Sequence, residues 1–136
     1  MNARVIAFAI FIATIIASSA QEGASSASKD IIGTWVLVGT PDKIGEIPST
    51  GGRLKLITPT HWVVTQADPK TNIVIFHHGG TYSIKGGEYL EAVKFANENT
   101  ADLIGKVHTF KIKVEGDTLT QIGVGNPWNE VWKRLR

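Results

Sequence analysis

The sequence predicts an all-β domain, an antiparallel up-and-down β-barrel of eight or nine strands. Three observations predict it. Short β-branched and aromatic runs recur along residues 30–136, turn residues separate them at close intervals, and no helical periodicity follows the first twenty residues. Consecutive hairpins make sequential strands antiparallel neighbours, and a sheet of that many strands in a small domain removes its edges by closing on itself. A Greek-key sandwich needs long crossovers, and only the loops around residues 40–52 and 97–106 have the length.

The elements follow in order. Residues 31–38 are rich in β-branched side chains, and Pro41, Gly45, Pro48, Gly51 and Gly52 mark a long first loop. Residues 53–58 alternate Leu54 and Leu56 against Arg53 and Lys55, the period of a half-buried strand, with the leucines as its apolar face. Pro59 and Thr60 turn the chain into residues 61–66, and residues 68–72 turn it again into 73–78. Residues 81–84 continue extended after Gly79 and Gly80, and Lys85-Gly86-Gly87-Glu88 is a tight hairpin signal leading to residues 89–96. Residues 97–106 are the one place for a short helical turn. Residues 107–114 and 118–124 flank a second two-residue hairpin loop, Gly116-Asp117, and residues 128–135 form the last strand.

Ahead of this domain the composition changes. Arg4 supplies one positive charge, residues 5–17 are an apolar run of 13 interrupted by Thr14, and Ser18 and Ala20 place small residues at the −3 and −1 positions of a cleavage site. This is the tripartite pattern of a signal peptide over residues 1–20, and the run is short of the roughly 20 residues of a membrane-crossing helix. Residues 21–29 then read as a flexible Ser/Ala/Gly lead-in to a domain at 30–136. Export to the periplasm or the medium is the expectation. Removing the first twenty residues leaves 116, enough for one domain and too few for two, and 13 basic residues against 12 acidic ones. No basic run marks a nucleic-acid or anionic-membrane surface, and no membrane span is expected once the signal is removed. The absence of cysteine excludes disulfides, thiolate nucleophiles and cysteine-ligated metals.

Strand alternation selects the side chains that face a barrel lumen. His108, Phe110, Ile112 and Val114 form the apolar face of their strand; Tyr89, Glu91, Val93 and Phe95 share a face of the preceding one. Trp128, Glu130, Trp132 and Arg134 share a face of the last strand, and Trp35 with Leu37 faces inward from the first. Tyr82 is a further inward aromatic. In the strand at 61–66, alternation does not choose between Trp62 and His61. A lumen carboxylate needs a partner, for which His108, Arg134, Tyr82 and Tyr89 are candidates, and Gln121 joins the polar set if Leu119 is inward. The candidate ligand-binding set is therefore Trp62, Tyr82, Tyr89, Glu91, Phe95, His108, Phe110, Trp128 and Glu130, with the loop at 40–52 as gate. The adjacent His77 and His78 point to opposite faces of a strand and cannot share one ion, and no metal-ligand spacing, cofactor motif or nucleophile elbow occurs.

Gly33-Thr34-Trp35 resembles the G-x-W opening of lipocalins and the wider calycin group. The segments Lys55-Leu56-Ile57-Thr58, Gly79-Gly80-Thr81-Tyr82, Glu88-Tyr89-Leu90-Glu91 and Ala101 to Lys106 are similar, in that order, to small exported lipocalin-like domains of bacteria. The resemblance implies that Trp35 plugs one barrel end with a basic residue of the last strand packed over it, Arg134 first and Lys133 second. Gly33, Trp35, Trp132 and Arg134 are the expected structural set at that end. Typical lipocalins are longer, often disulfide-bonded, and carry a C-terminal helix.

The expected function is non-enzymatic binding of a small hydrophobic or amphipathic ligand in the lumen, without cofactor, metal or nucleic-acid partner. The alternative is a structural or interaction module of the cell envelope whose barrel is filled by its own side chains.

Overall fold

The computed structural model describes residues 29–136. The expected signal peptide and all but the last residue of the lead-in lie outside the described residues. Nine strands form one antiparallel sheet: β1 (Gly33–Thr40), β2 (Lys43–Ile44), β3 (Leu54–Ile57), β4 (His61–Ala67), β5 (Val74–Lys85), β6 (Glu88–Ala96), β7 (Val107–Glu115), β8 (Thr118–Val124) and β9 (Asn129–Leu135). From β3 to β9 each strand pairs with its sequence neighbour, and β1 pairs with both β3 and β9. Eight strands thereby close an up-and-down barrel, as the hairpin signals predict, and the two-residue β2 is an extra rung beside Gly39 and Thr40. A 3₁₀ helix, Glu98–Leu103, occupies the expected helical turn between β6 and β7.

This topology gives the barrel two unlike ends. The short turns at residues 58–60, 86–87 and 116–117 share one end with the start of β1 and the finish of β9; the long connections at 41–53, 68–73, 97–106 and 125–128 gather at the other. The first end is closed. Trp35 is fully buried there, its indole Nε1 donating to the Ile31 carbonyl at 2.8 Å, and the Arg134 guanidinium lies 4.1 Å from its ring centre. Arg134 also donates to the carbonyls of Ile32 and Asp30 at 2.7 and 2.6 Å, tying the chain that enters β1 to the strand that leaves β9. Gly33 sits at φ +148°, and a Cβ there would strike that guanidinium, so the glycine of the opening motif is required by backbone and neighbour alike. Trp132, Trp62, Tyr89 and Leu119 fill the space above.

The long first loop does not cover the open end. Pro48 and Gly52 lie against Val36 on the outer wall, where Val36, Val38 and Val131 form a second buried cluster with Leu54 and Leu135. The expectation of a gate at residues 40–52 is corrected: outward-facing valines of β1 and β9 need cover, and the loop supplies it. The 3₁₀ helix occupies the mouth instead. Asn99 donates to the Ile75 carbonyl at 2.8 Å and the Thr100 hydroxyl to that of His77 at 2.8 Å, pinning the helix across the rim of β5.

Candidate functional site

The centre of the barrel is polar. Lys55, only 1% exposed, crosses the lumen from β3 and donates to Glu91 Oε1 of β6 at 2.8 Å and to Gln121 Oε1 of β8 at 2.6 Å. Its ammonium lies 4.9 Å from the Trp132 ring centre and within 6 Å of those of Trp62 and Phe110. Three polar side chains from three strands thus meet inside an aromatic box, with the Lys55 ammonium shared between the two acceptors. Burial raises the Glu91 carboxyl above the ordinary carboxylate value while Lys55 pulls it down. Burial, and then the Glu91 charge, push the Tyr89 phenol well up. The Tyr89 hydroxyl and Gln121 Nε2 are buried beside this cluster without hydrogen-bond partners among the described residues.

Lys55 inverts the alternation expected of its strand. Leu56 is 42% exposed and Leu54 packs on the outer cluster, so the leucines face out and Arg53 and Lys55 face in. The pairing of Lys55 with inward Trp35 on one side and inward Val64 on the other fixes this register. The partner that Glu91 needs is therefore Lys55, rather than His108, Arg134 or a tyrosine.

Above this cluster and below the 3₁₀ helix lies a cavity of about 360 Å³. Its apolar wall comprises Val64, Phe76, Phe110, Leu103 and Trp128; Arg53, His78, His108 and Glu130 supply polar groups, and Lys55 and Glu91 its floor. The Trp128 ring stands edge-on to His108 at 4.4 Å and is 37% exposed at the rim. Trp132 donates from its indole to Glu130 at 3.3 Å. Arg53 donates from Nε to Gln66 at 3.0 Å, with its guanidinium carbon 4.0 Å from the Phe76 ring centre. His78 is buried between the edges of Trp62 and Phe76, and neither its Nδ1 nor His108 Nε2 has a partner among the described residues.

Of the candidate residues, five border this cavity: Glu91, His108, Phe110, Trp128 and Glu130. Trp62 and Tyr89 face inward but belong to the packed half beneath it. Tyr82 lies toward the closed end, its hydroxyl donating to the Thr58 carbonyl at 2.8 Å. Phe95 faces outward, 41% exposed, and the expectation that it lines the lumen is corrected. The register of β6 on β5 shifts between Gly79 and Gly80, which oppose Phe95 and Val93, so Lys94 is an extra residue that exchanges the faces beyond it. Gly80 makes the bulge possible, because a Cβ there would enter the backbone of Ala92 and Lys94.

Residue alternation missed Arg53, Lys55 and His78 as lumen groups. For Lys55 the deciding fact is register: its cross-strand partner is the inward Trp35, and the long connection between β1 and β3 leaves that pairing unmarked in the sequence. His77 and His78 do occupy opposite faces, His78 buried inside and His77 beside the outward Phe95. Among the described residues no three His, Asp or Glu side chains are grouped to hold a metal ion.

The buried imidazole carries a pH dependence. Desolvation first, then the charges of Lys55 and Arg53, lower the His78 pKa from 6.5 to about 4. A group whose folded pKa is depressed contributes stability that is complete above its unfolded value and is lost as pH falls through the folded one. Wild type is therefore expected to lose about 1–2 kcal/mol between pH 6.5 and 4 that a His78→Gln variant does not, after allowance for water reaching the ring from the cavity. Urea denaturation of both proteins across that window checks it.

No protein-family model and no curated protein matches the sequence. Solved structures do. One similar chain is a lipocalin-like protein from Bacteroides uniformis, 16% identical with a TM-score of 0.55, the match covering 78% of this chain and 99% of that one. Another is an uncharacterized protein from Bacteroides eggerthii, 15% identical with a TM-score of 0.51, covering 76% and 98%. Both agree with the closed eight-stranded barrel: the domain has a lipocalin-like fold, with Trp35 under Arg134 at one end and the cavity at the other.

Proposed function

We propose that this is an exported, non-enzymatic binding protein that holds one small, partly apolar ligand in the open half of its barrel. The cavity of about 360 Å³ carries the reading. Its volume lies toward the lower end of the roughly 300–1,000 Å³ of small-molecule sites, and its make-up, an apolar wall with a few convergent polar groups, is of the same kind. Unpartnered nitrogens on His78 and His108 support it further, since buried polar atoms are rarely left without partners unless something else supplies them. The alternative of a side-chain-filled barrel describes the closed half alone. Non-enzymatic binding suits a site in which the central Lys55 and Glu91 are committed to each other rather than to a substrate. Export rests on the N-terminal pattern of charge, apolar run and small residues.

Native mass spectrometry of the protein purified from its own host is expected to show a single small-molecule adduct. Leu103→Trp, which fills the cavity from the 3₁₀ helix, is expected to abolish it. A mass equal to the bare chain, together with no change in Trp128 fluorescence on titration with 1-decanol, would overturn the reading. Trp128 stands at the rim of the cavity and is 37% exposed, so a ligand entering there changes its surroundings, and a Trp128→Phe variant identifies its share of the emission.

A further inference from the structure

We infer that the ligand of this cavity is an amphipathic monoanion, a carboxylate-headed molecule whose head sits between Arg53 and His78 and whose apolar part lies along Phe110, Leu103 and Trp128. The inference rests on the binding function proposed above and names its ligand class. Three observations carry it.

Arg53 is a half-buried cation without a carboxylate within ion-pairing distance among the described residues. Its Nε is taken by Gln66 and its plane by the Phe76 ring, which leaves both terminal nitrogens of the fork unused. A planar guanidinium held by an aromatic face and a neutral amide is oriented for a bidentate acceptor that the described residues do not provide. His78 shares the same aromatic ring, its centroid 4.8 Å from that of Phe76, and its unpartnered Nδ1 is buried. The Phe76 ring thus brings together a guanidinium and an imidazole nitrogen, both short of a partner, at one side of the cavity.

The acidic groups of the cavity do not cancel this. Glu91 is bonded to Lys55, Glu130 accepts from Trp132 and influences Arg53 without reaching it, and Asp102 sits exposed at the rim, 3.7 Å from Lys106. Around His78 the groups that act on its charge are Lys55, Arg53, His108 and His77, all basic. An anionic head placed there relieves the repulsion and lets His78 take up a proton. Binding is then linked to proton uptake, and affinity rises as pH falls for as long as the ligand's own carboxyl stays ionised.

The test compares three probes with one tail: decanoate, 1-decanol and decylammonium, titrated calorimetrically into the purified protein at pH 7. Decanoate is expected to bind about tenfold or more tightly than decanol, and decylammonium most weakly. Arg53→Gln is expected to abolish the preference, so that decanoate and decanol bind that variant equally; Arg53→Lys, which keeps the charge and loses the fork, is expected to retain part of it. Heats measured in two buffers of different ionisation enthalpy are expected to show proton uptake with decanoate alone, and none in His78→Gln. Equal binding of decanoate and decanol, preference for decylammonium, or a decanoate preference that survives Arg53→Gln would overturn the anion inference while leaving the cavity as a binding site. Failure of all three probes to bind would overturn the binding function itself.

Discussion

Replacing Lys55 by methionine is expected to destabilise the domain by about 3–5 kcal/mol, because it leaves Glu91 buried without its counter-charge and Gln121 Oε1 without its donor. The loss is expected to depend on pH in a direction opposite to that of His78. Burial already raises the Glu91 carboxyl, and replacing Lys55 takes away the positive charge that chiefly opposes the rise. A carboxyl whose folded pKa lies above its unfolded value costs stability as pH rises from the unfolded value through the folded one, and costs nothing below both. Lys55→Met is therefore expected to recover stability on acidification. The double variant Lys55→Met with Glu91→Leu is expected to recover the part of the loss that comes from the unpaired charge and to remain about 1–3 kcal/mol below wild type, because the buried Gln121 Oε1 still lacks its donor. Urea midpoints of the two single variants and the double variant complete the cycle. Simple additivity of the two single losses would show that the pair does not act as a unit.

Trp35→Ala is expected to cost about 3–5 kcal/mol, as for other large aromatic truncations in a core. Trp35 is fully buried, so the cavity left behind has no solvent to fill it, and the closed end loses the surface on which Arg134 stacks. Such a loss consumes much of the roughly 5–15 kcal/mol that stabilises a domain. Arg134→Gln is the milder companion. It keeps Trp35 in place and removes the cation-π contact, worth about 0.5–2 kcal/mol, and both bonds to the incoming chain. Its near-UV circular dichroism is expected to stay native-like while its urea midpoint falls. An Arg134→Gln protein as stable as wild type would mean that the basic residue is ornamental at this end.

The closed end is legible because its requirements are local. A glycine with a forced backbone, a tryptophan two residues on and a basic residue near the last position each leave a mark in the sequence, and the structure assembles them as the resemblance implies. Hairpin order is legible for the same reason, since two-residue turns leave few alternatives in topology. Alternation reads β7 well, because one of its faces is apolar apart from His108, and it reads β9 through Trp132, whose bulk marks the inward face although charged residues flank it. It fails on β3, where the exterior of the barrel is itself partly apolar: Leu54 has an outer cluster to join, so hydrophobicity no longer distinguishes inside from outside. The rule that an isolated lysine avoids the core sends that charge outward, and Lys55 is not isolated. Phe95 escapes because of the one-residue bulge at Lys94, which depends on how β6 meets β5 and has no trace in β6 alone. The cavity combines both difficulties. Arg53 and His78 enter it from segments whose facing is settled by their neighbours' register rather than by their own composition.

The Lys55 cluster also bears on how the chain reaches this state. Its partners lie 36 and 66 residues away along the chain, and the bonds of Arg134 to Ile32 and Asp30 span 102 and 104. Each of these contacts is rewarded only after a long loop has closed, which places the domain among the slow, non-local folders. A partly assembled sheet holding β3 to β7 has Glu91 for Lys55 but not Gln121, and it lacks the Trp132 face that completes the aromatic box. The centre of the barrel is therefore complete only when β3, β6, β8 and β9 are all in place, so the polar cluster ties the drying of the interior to closure of the whole sheet rather than to any single hairpin.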